Sequence, residues 1–197
     1  MRRPTAIAVL IWSVGSAGAQ VQHWAETPSE TIWRDRYTNC DKGYAVDLPA
    51  GVVAHASHPP NPNHGFLISA RDPGTTAEVN LENQRIIDVY DQYDSMELGS
   101  ARAYLDWELK QAPKRKVLQV REIMFLGFPA VEARYRVNAD GSLRLKEELI
   151  IFPGSDLIYV LMLSTTPQDH GRDSALFAHI RAGFHLLPIP TGECSNQ

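Results

Sequence analysis

Cysteine is nearly absent from this chain: only Cys40 and Cys194 occur among 197 residues. They form no CxxC pair, so redox catalysis and a cysteine-built zinc site find no support. Glycine-rich phosphate loops of the GxGxxG or Walker type are missing, which removes the usual nucleotide cradles. Positive charge is in deficit, with 19 Lys and Arg against 23 Asp and Glu and a net charge of −4. That balance argues against a nucleic acid partner. No apolar run reaches the roughly 20 residues that span a bilayer. Internal repeats and low-complexity tracts are lacking. What remains is 44% hydrophobic and 21% charged residues, a composition suited to one globular domain.

The first nineteen residues read as a signal peptide. Arg2 and Arg3 give a basic start, Ala6 to Trp12 an apolar middle, and Ala17-Gly18-Ala19 a small-residue cleavage site before Gln20. The expected product is exported, periplasmic or secreted, with no transmembrane segment left after cleavage. Residues 20–39 are polar and carry Trp24 and Trp33, which reads as an N-terminal extension. Residues 40–197 are expected to form a single domain. Oxidising conditions outside the cytoplasm make a Cys40–Cys194 disulfide the expected state. It would close a loop of about 155 residues and contribute roughly 5 kcal/mol at most.

Hydrophobic periodicity sets the elements. Tyr44, Val46 and Leu48 alternate as a strand, and Pro49-Ala50-Gly51 is a turn that can return Val52 to Ala56 as a hairpin arm. Phe66 to Ala70, residues 78–82 and Arg85 to Tyr93 read as strands. Asp94 with Glu97 three residues on predicts a helix start. Leu98, Ala101, Leu105, Leu109 and Ala112 give that helix one apolar stripe, and Pro113 stops it. Val117 to Phe125, the alternating Val131 to Val137 stretch and Leu143 to Phe152 read as strands joined by tight turns, hence antiparallel. Leu157 to Leu163 is apolar at every position, as expected of a strand buried on both faces. A last helix starts near Asp173, with Leu176, Phe177, Ile180, Gly183, Phe184 and Leu187 as its stripe. The fold class is therefore α+β, a mostly antiparallel sheet sandwiched between helices.

Three stretches carry a family likeness: GYAVDLPAG (Gly43 to Gly51), LGFPAVEARYR (Leu126 to Arg136) and LFAHIRAGFHLL (Leu176 to Leu187). They resemble the α/β/α sandwich of PsbP-like proteins over about residues 40–190. That resemblance implies binding or assembly work rather than catalysis, with no ligand shared across the group and no site residue to carry over.

Candidate chemistry is sparse. His55, His58 and His64 fall within ten residues, and imidazoles that converge can hold zinc, copper or nickel. The competing reading is a polar loop that happens to contain them. His170, His179 and His185 sit around the last helix, and His179 and His185, six apart, do not share a face well. Ser164 has no nucleophile elbow around it. Glu147 and Glu148 are neighbours on a strand and must point to opposite faces, so they cannot flank one substrate. Asp88, Asp91 and Asp94 lack EF-hand spacing. Lys114-Arg115-Lys116 is a short basic run that attracts a membrane only weakly. The leading reading is an exported, non-enzymatic binding or assembly module without a cofactor. Its partner is expected to be another exported or envelope protein, met through the Trp24 and Trp33 arm or the histidine loop. The alternatives are a hydrolase whose site assembles only in three dimensions, and a periplasmic metal-binding protein using His55, His58 and His64.

Overall fold

The computed structural model describes residues 32–56, 65–69, 85–139, 141–154 and 156–187. In chain order they form β1 (Ile32–Trp33), β2 (Arg36–Asn39), β3 (Tyr44–Asp47), β4 (Ala54–Ala56), β5 (Gly65–Ser69) and β6 (Ile86–Tyr93). Helix α1 (Ala101–Gln111) follows, then β7 (Lys116–Phe125), β8 (Phe128–Ala139), β9 (Ser142–Ile151) and β10 (Leu157–Thr165). Helix α2 (His170–Ala182) and β11 (Phe184–Leu186) close the described chain. Eight strands make one sheet in the order β1-β4-β5-β6-β10-β9-β8-β7, and three make a second in the order β11-β3-β2. Every pairing is antiparallel.

The apolar run Leu157 to Leu163 explains the centre. As β10 it pairs with β6 on one side and β9 on the other, and both of its faces are covered. Ile158 and Val160 point to Ala101, Tyr104 and Leu105 of α1. Tyr159, Leu161 and Leu163 point the other way, to Phe177 and Ile180 of α2 and to Tyr44 and Val46 of the small sheet. The second side is rich in rings: Tyr44 meets Phe184 at 5.6 Å, Tyr159 at 5.3 Å and Tyr37 at 5.6 Å between centroids. Such pairs add to the area buried.

Four expectations change. Residues 32–39, read as part of an extension, supply β1 and β2, and Tyr37 is buried among Trp33, Tyr44 and Phe66. The Tyr44 and Val52 stretches do not form a hairpin: the Pro49 to Gly51 turn carries the chain from the small sheet to the large one, where Ala54 to Ala56 pairs with β5. The middle helix starts at Ala101 rather than Asp94. Asp94 does accept backbone N–H bonds, from Leu98 at 2.9 Å and Gly99 at 2.8 Å, but it closes a loop in which Glu97 and Gly99 have positive φ. The helix cap is Ser100, whose Oγ accepts from the Ala103 N–H at 3.1 Å.

The fourth change is at the end. The last helix stops at Ala182, and Phe184 to Leu186, read as its final turn, form β11 on β3. Gly183 makes the switch, since a Cβ there would lie 2.5 Å from the Asp47 carbonyl oxygen. The Asp47 N–H donates to the Gly183 carbonyl at 2.9 Å, which ties the two backbones together at this close approach. The strand expected at 78–82 lies outside the described residues.

Candidate protein-docking site

Three polar side chains converge on the α2 side of the sheet. His170 Nε2 lies 2.6 Å from Glu147 Oε1, and Ser174 Oγ lies 3.2 Å from both atoms. Serine, histidine and glutamate thus meet. A relay needs the acid on one ring nitrogen and the serine on the other, so that the base is oriented while it takes the proton. Here a single nitrogen serves both partners, and Arg134 further holds Glu147 at 2.9 Å. His170 and Ser174 also sit four apart on α2, a spacing that favours a local surface contact. Ser174→Ala is therefore expected to leave hydrolysis of an activated ester unchanged. A tenfold loss from a measurable wild-type rate would overturn that assignment.

The neighbouring ion pairs are structural. Asp173 is buried and is held by Arg85 and by the Thr165 hydroxyl, which fixes the start of α2 to the end of β10. Burial works against its charge, but these hydrogen bonds and the cation charges together keep its carboxyl below the usual range. Glu132 is likewise kept low against its burial by Arg181 and Arg121, which join β8 to α2 and β7.

On the α1 side lies a buried polar group. Glu148 and Tyr135 are 2% and 0% exposed. Lys146 and Asp88 share their face by register, with Met162 between Glu148 and Asp88. Arg115 lies over the Tyr135 ring at 4.9 Å and 3.5 Å from Glu108. Burial, reinforced by Glu108, pushes the Glu148 carboxyl up to about 7. Burial also raises Asp88 to about 7 against the pull of Lys146, and lowers Lys146 itself. Groups so displaced often mark function, but packed ion networks produce the same shifts. Here Glu148 and Tyr135 are buried on the α1 side, while Asp88, Lys146, Glu108 and Arg115 are half-buried.

The sequence candidates disperse. His55 is half-buried in β4 and faces Ile32 and Leu67 in register, while His58 and His64 lie outside the described residues. No group of three His, Cys, Asp or Glu placed to hold a metal occurs among the described residues. Asp88 and Asp91 point to opposite faces of β6, and Asp94 closes its loop. Glu147 and Glu148 do point to opposite faces. Trp33 packs edge-on against Tyr37 at 4.8 Å, and Trp24 lies outside the described residues. Cys40 is buried just past β2, and Cys194 lies outside. Of the basic run, Arg115 turns inward onto Tyr135. Ser164 is buried in β10 between Ile86 and Lys146.

What the sequence did not flag is the end of the sheet. β7 pairs only with β8, so its outer backbone edge is open among the described residues. It is long, and Val117, Leu118 and Met124 are 44%, 43% and 65% exposed. Leu126, with φ 50°, and Gly127, with φ 83°, make the tight turn into β8. A groove of about 410 Å³ runs beside the strand, lined by Ala101, Ile123, Met124, Pro129 and Val131, with Arg102 and Glu122 at its rim. Arg102 reaches Glu122 at 3.6 Å. An open edge of this length is a template for another strand. Its only sequence signal was Val117 to Phe125 itself, apolar but interrupted by Arg121 and Glu122.

A large antiparallel sheet between helices, with a small sheet beside α2, defines a PsbP-like α+β fold. The solution structure of cyanobacterial PsbP (CyanoP) from Synechocystis sp. PCC 6803 is similar, with a TM-score of 0.52 and 16% identity over 88% of this chain and 98% of that one. LpqN of Mycobacterium tuberculosis, involved in cell envelope biogenesis, has a TM-score of 0.49 at 15% identity, covering 84% and 88%. The Saccharomyces cerevisiae Ran-binding protein Mog1p has 0.49 at 10% identity, covering 81% and 97%. No family model matches the chain, and no curated protein matches it. At these identities the likeness is one of fold. The resemblance read from the three sequence stretches holds at that level.

Proposed function

We propose that the chain is an exported, non-enzymatic binding or assembly module that meets another exported or envelope protein along β7. The carrying observation is the open β7 edge, with its exposed apolar side chains and adjoining groove. Backbone groups on such an edge supply affinity, and the side chains beside them supply selection. The test is a photo-crosslinking residue placed at Gln119 or Met124 in the full chain in cells, with Lys110 on α1 as control. Adducts to one defined protein from β7, and none from the control, are expected. Equal labelling from all three positions would overturn the reading. Export itself is tested by the mature N-terminus, expected at Gln20.

A Cys40–Cys194 bridge belongs to the same proposal. Its support is the path of the chain: the Leu187 N–H donates to the Gly43 carbonyl at 2.8 Å, and the Gly43 N–H contacts the Cys40 carbonyl at 3.3 Å. The chain thus leaves β11 beside Cys40, with seven residues left to reach Cys194. Reduction is expected to cost about 2–5 kcal/mol in urea unfolding. Two free thiols in the oxidised, folded protein would remove the bridge.

A further inference from the structure

We infer that the partner of the β7 edge is a second copy of this chain, joined in a two-fold dimer centred on Glu122. This rests on the docking reading above and names its occupant.

The register follows from symmetry. Two identical antiparallel strands that join edge to edge share an axis perpendicular to the sheet, so one residue must face itself. The regular part of β7 is bracketed. A register shift between Val117 and Gln119 leaves Leu118 as an extra residue, and the Leu126-Gly127 turn follows Phe125. Between these lie the seven residues Gln119–Phe125, whose middle is Glu122. An axis at Glu122 pairs all of them, whereas a shifted axis leaves residues of this stretch unpaired or runs them into the bulge or the turn.

Backbone direction agrees. In a two-residue turn with both central φ positive, the flanking residues Phe125 and Phe128 bond to each other. Alternation then turns the N–H and C=O of Val120, Glu122 and Met124 outward, where the second copy takes them up.

Side chains agree as well. On the α1 face Val120 of each copy meets Met124 of the other. On the opposite face Ile123 meets the aliphatic stem of Arg121, and Phe125 meets Gln119. The unfavourable contact is Glu122 against Glu122. Each is approached by an Arg102 at 3.6 Å, but Asp106 also holds that arginine at 3.1 Å, so the two arginines offset the paired acids only in part. An axis at Arg121 would instead crowd two arginines beside Arg181, which already shares Glu132 with Arg121.

The experiment is sedimentation velocity of the full chain over a concentration series, with single-cysteine crosslinking. Wild type is expected to dimerise. Glu122→Gln is expected to tighten the dimer about fivefold by removing the like-charge contact. Arg102→Ala should loosen it. Val120→Pro should abolish it while the monomer keeps its circular dichroism, because that N–H faces outward. Under mild oxidation Glu122→Cys should link to itself faster than Gln119→Cys or Met124→Cys. A wild type and a Glu122→Gln variant that both stay monomeric overturn the dimer, as does self-linking that peaks elsewhere on β7. If the monomeric chain still gives β7 adducts to a different protein, the docking reading stands without the dimer. Absence of any β7 adduct removes both.

Discussion

Gly65→Ala is expected to destabilise the protein by about 3 kcal/mol or more, enough to unfold much of it at ambient temperature. Gly65 opens β5 opposite Tyr90, with φ at 142°. A Cβ built there lies 2.0 Å from the Val89 carbonyl oxygen and 2.8 Å from the Tyr90 Cα. Both are backbone atoms of β6, paired between β5 and the central β10, so neither can swing aside. The substitution must push β5 off the sheet. Gly51→Ala is the matched control: its φ is 80°, yet nothing lies within 4 Å of the added carbon. It should cost only the backbone strain of about 1 kcal/mol. Urea midpoints measure both, and similar losses for the two variants would refute the steric account.

The second large effect concerns pH. Asp88 and Glu148 are both raised by burial to about 7, far above their unfolded values. An acid whose folded pKa is raised binds protons on folding. Its stabilisation is complete below the unfolded pKa and is lost as pH rises through the folded one. The protein should therefore weaken between pH 5 and 7, by on the order of 1 kcal/mol per pH unit for each carboxyl. Asp173 and Glu132, whose carboxyls are held low, act in the opposite sense and only at more acid pH. Glu148→Gln cannot ionise. It should be close to neutral at pH 5, stabilising at pH 8, and should remove roughly half of the slope between them. A pH dependence identical to wild type in that variant would show that Glu148 is not the group responsible.

The parts of the fold that were legible announce themselves locally. The seven apolar residues of β10 have no polar position to expose, so burial on both faces follows from sequence alone. The Gly127 and Gly141 turns fix the β7–β8 and β8–β9 hairpins within a few residues of chain. The small sheet was invisible for the opposite reason. β2 and β11 are four and three residues long, and each gains its identity only by pairing with β3, which lies far from β11 in sequence. Asp94 misled because an aspartate that closes a loop looks like one that caps a helix. The docking edge was hidden by the same logic: alternation tells which face a residue takes, not which neighbouring strand is missing. Glu148 was hidden because Lys146-Glu147-Glu148 reads as a wet stretch until β9 is placed beneath α1.

The β11-β3-β2 sheet has a bearing on timing. Its strands come from the first and last parts of the described chain, with Phe184 stacked on Tyr44. A chain delivered from its N-terminus can form the β7–β8–β9 meander early, since those contacts are short in sequence. The Tyr37, Tyr44 and Tyr159 side cannot close until Phe184 has emerged. Contacts that wait for distant residues slow folding. This side of the sheet should thus stay open until the residues around Phe184 have been made.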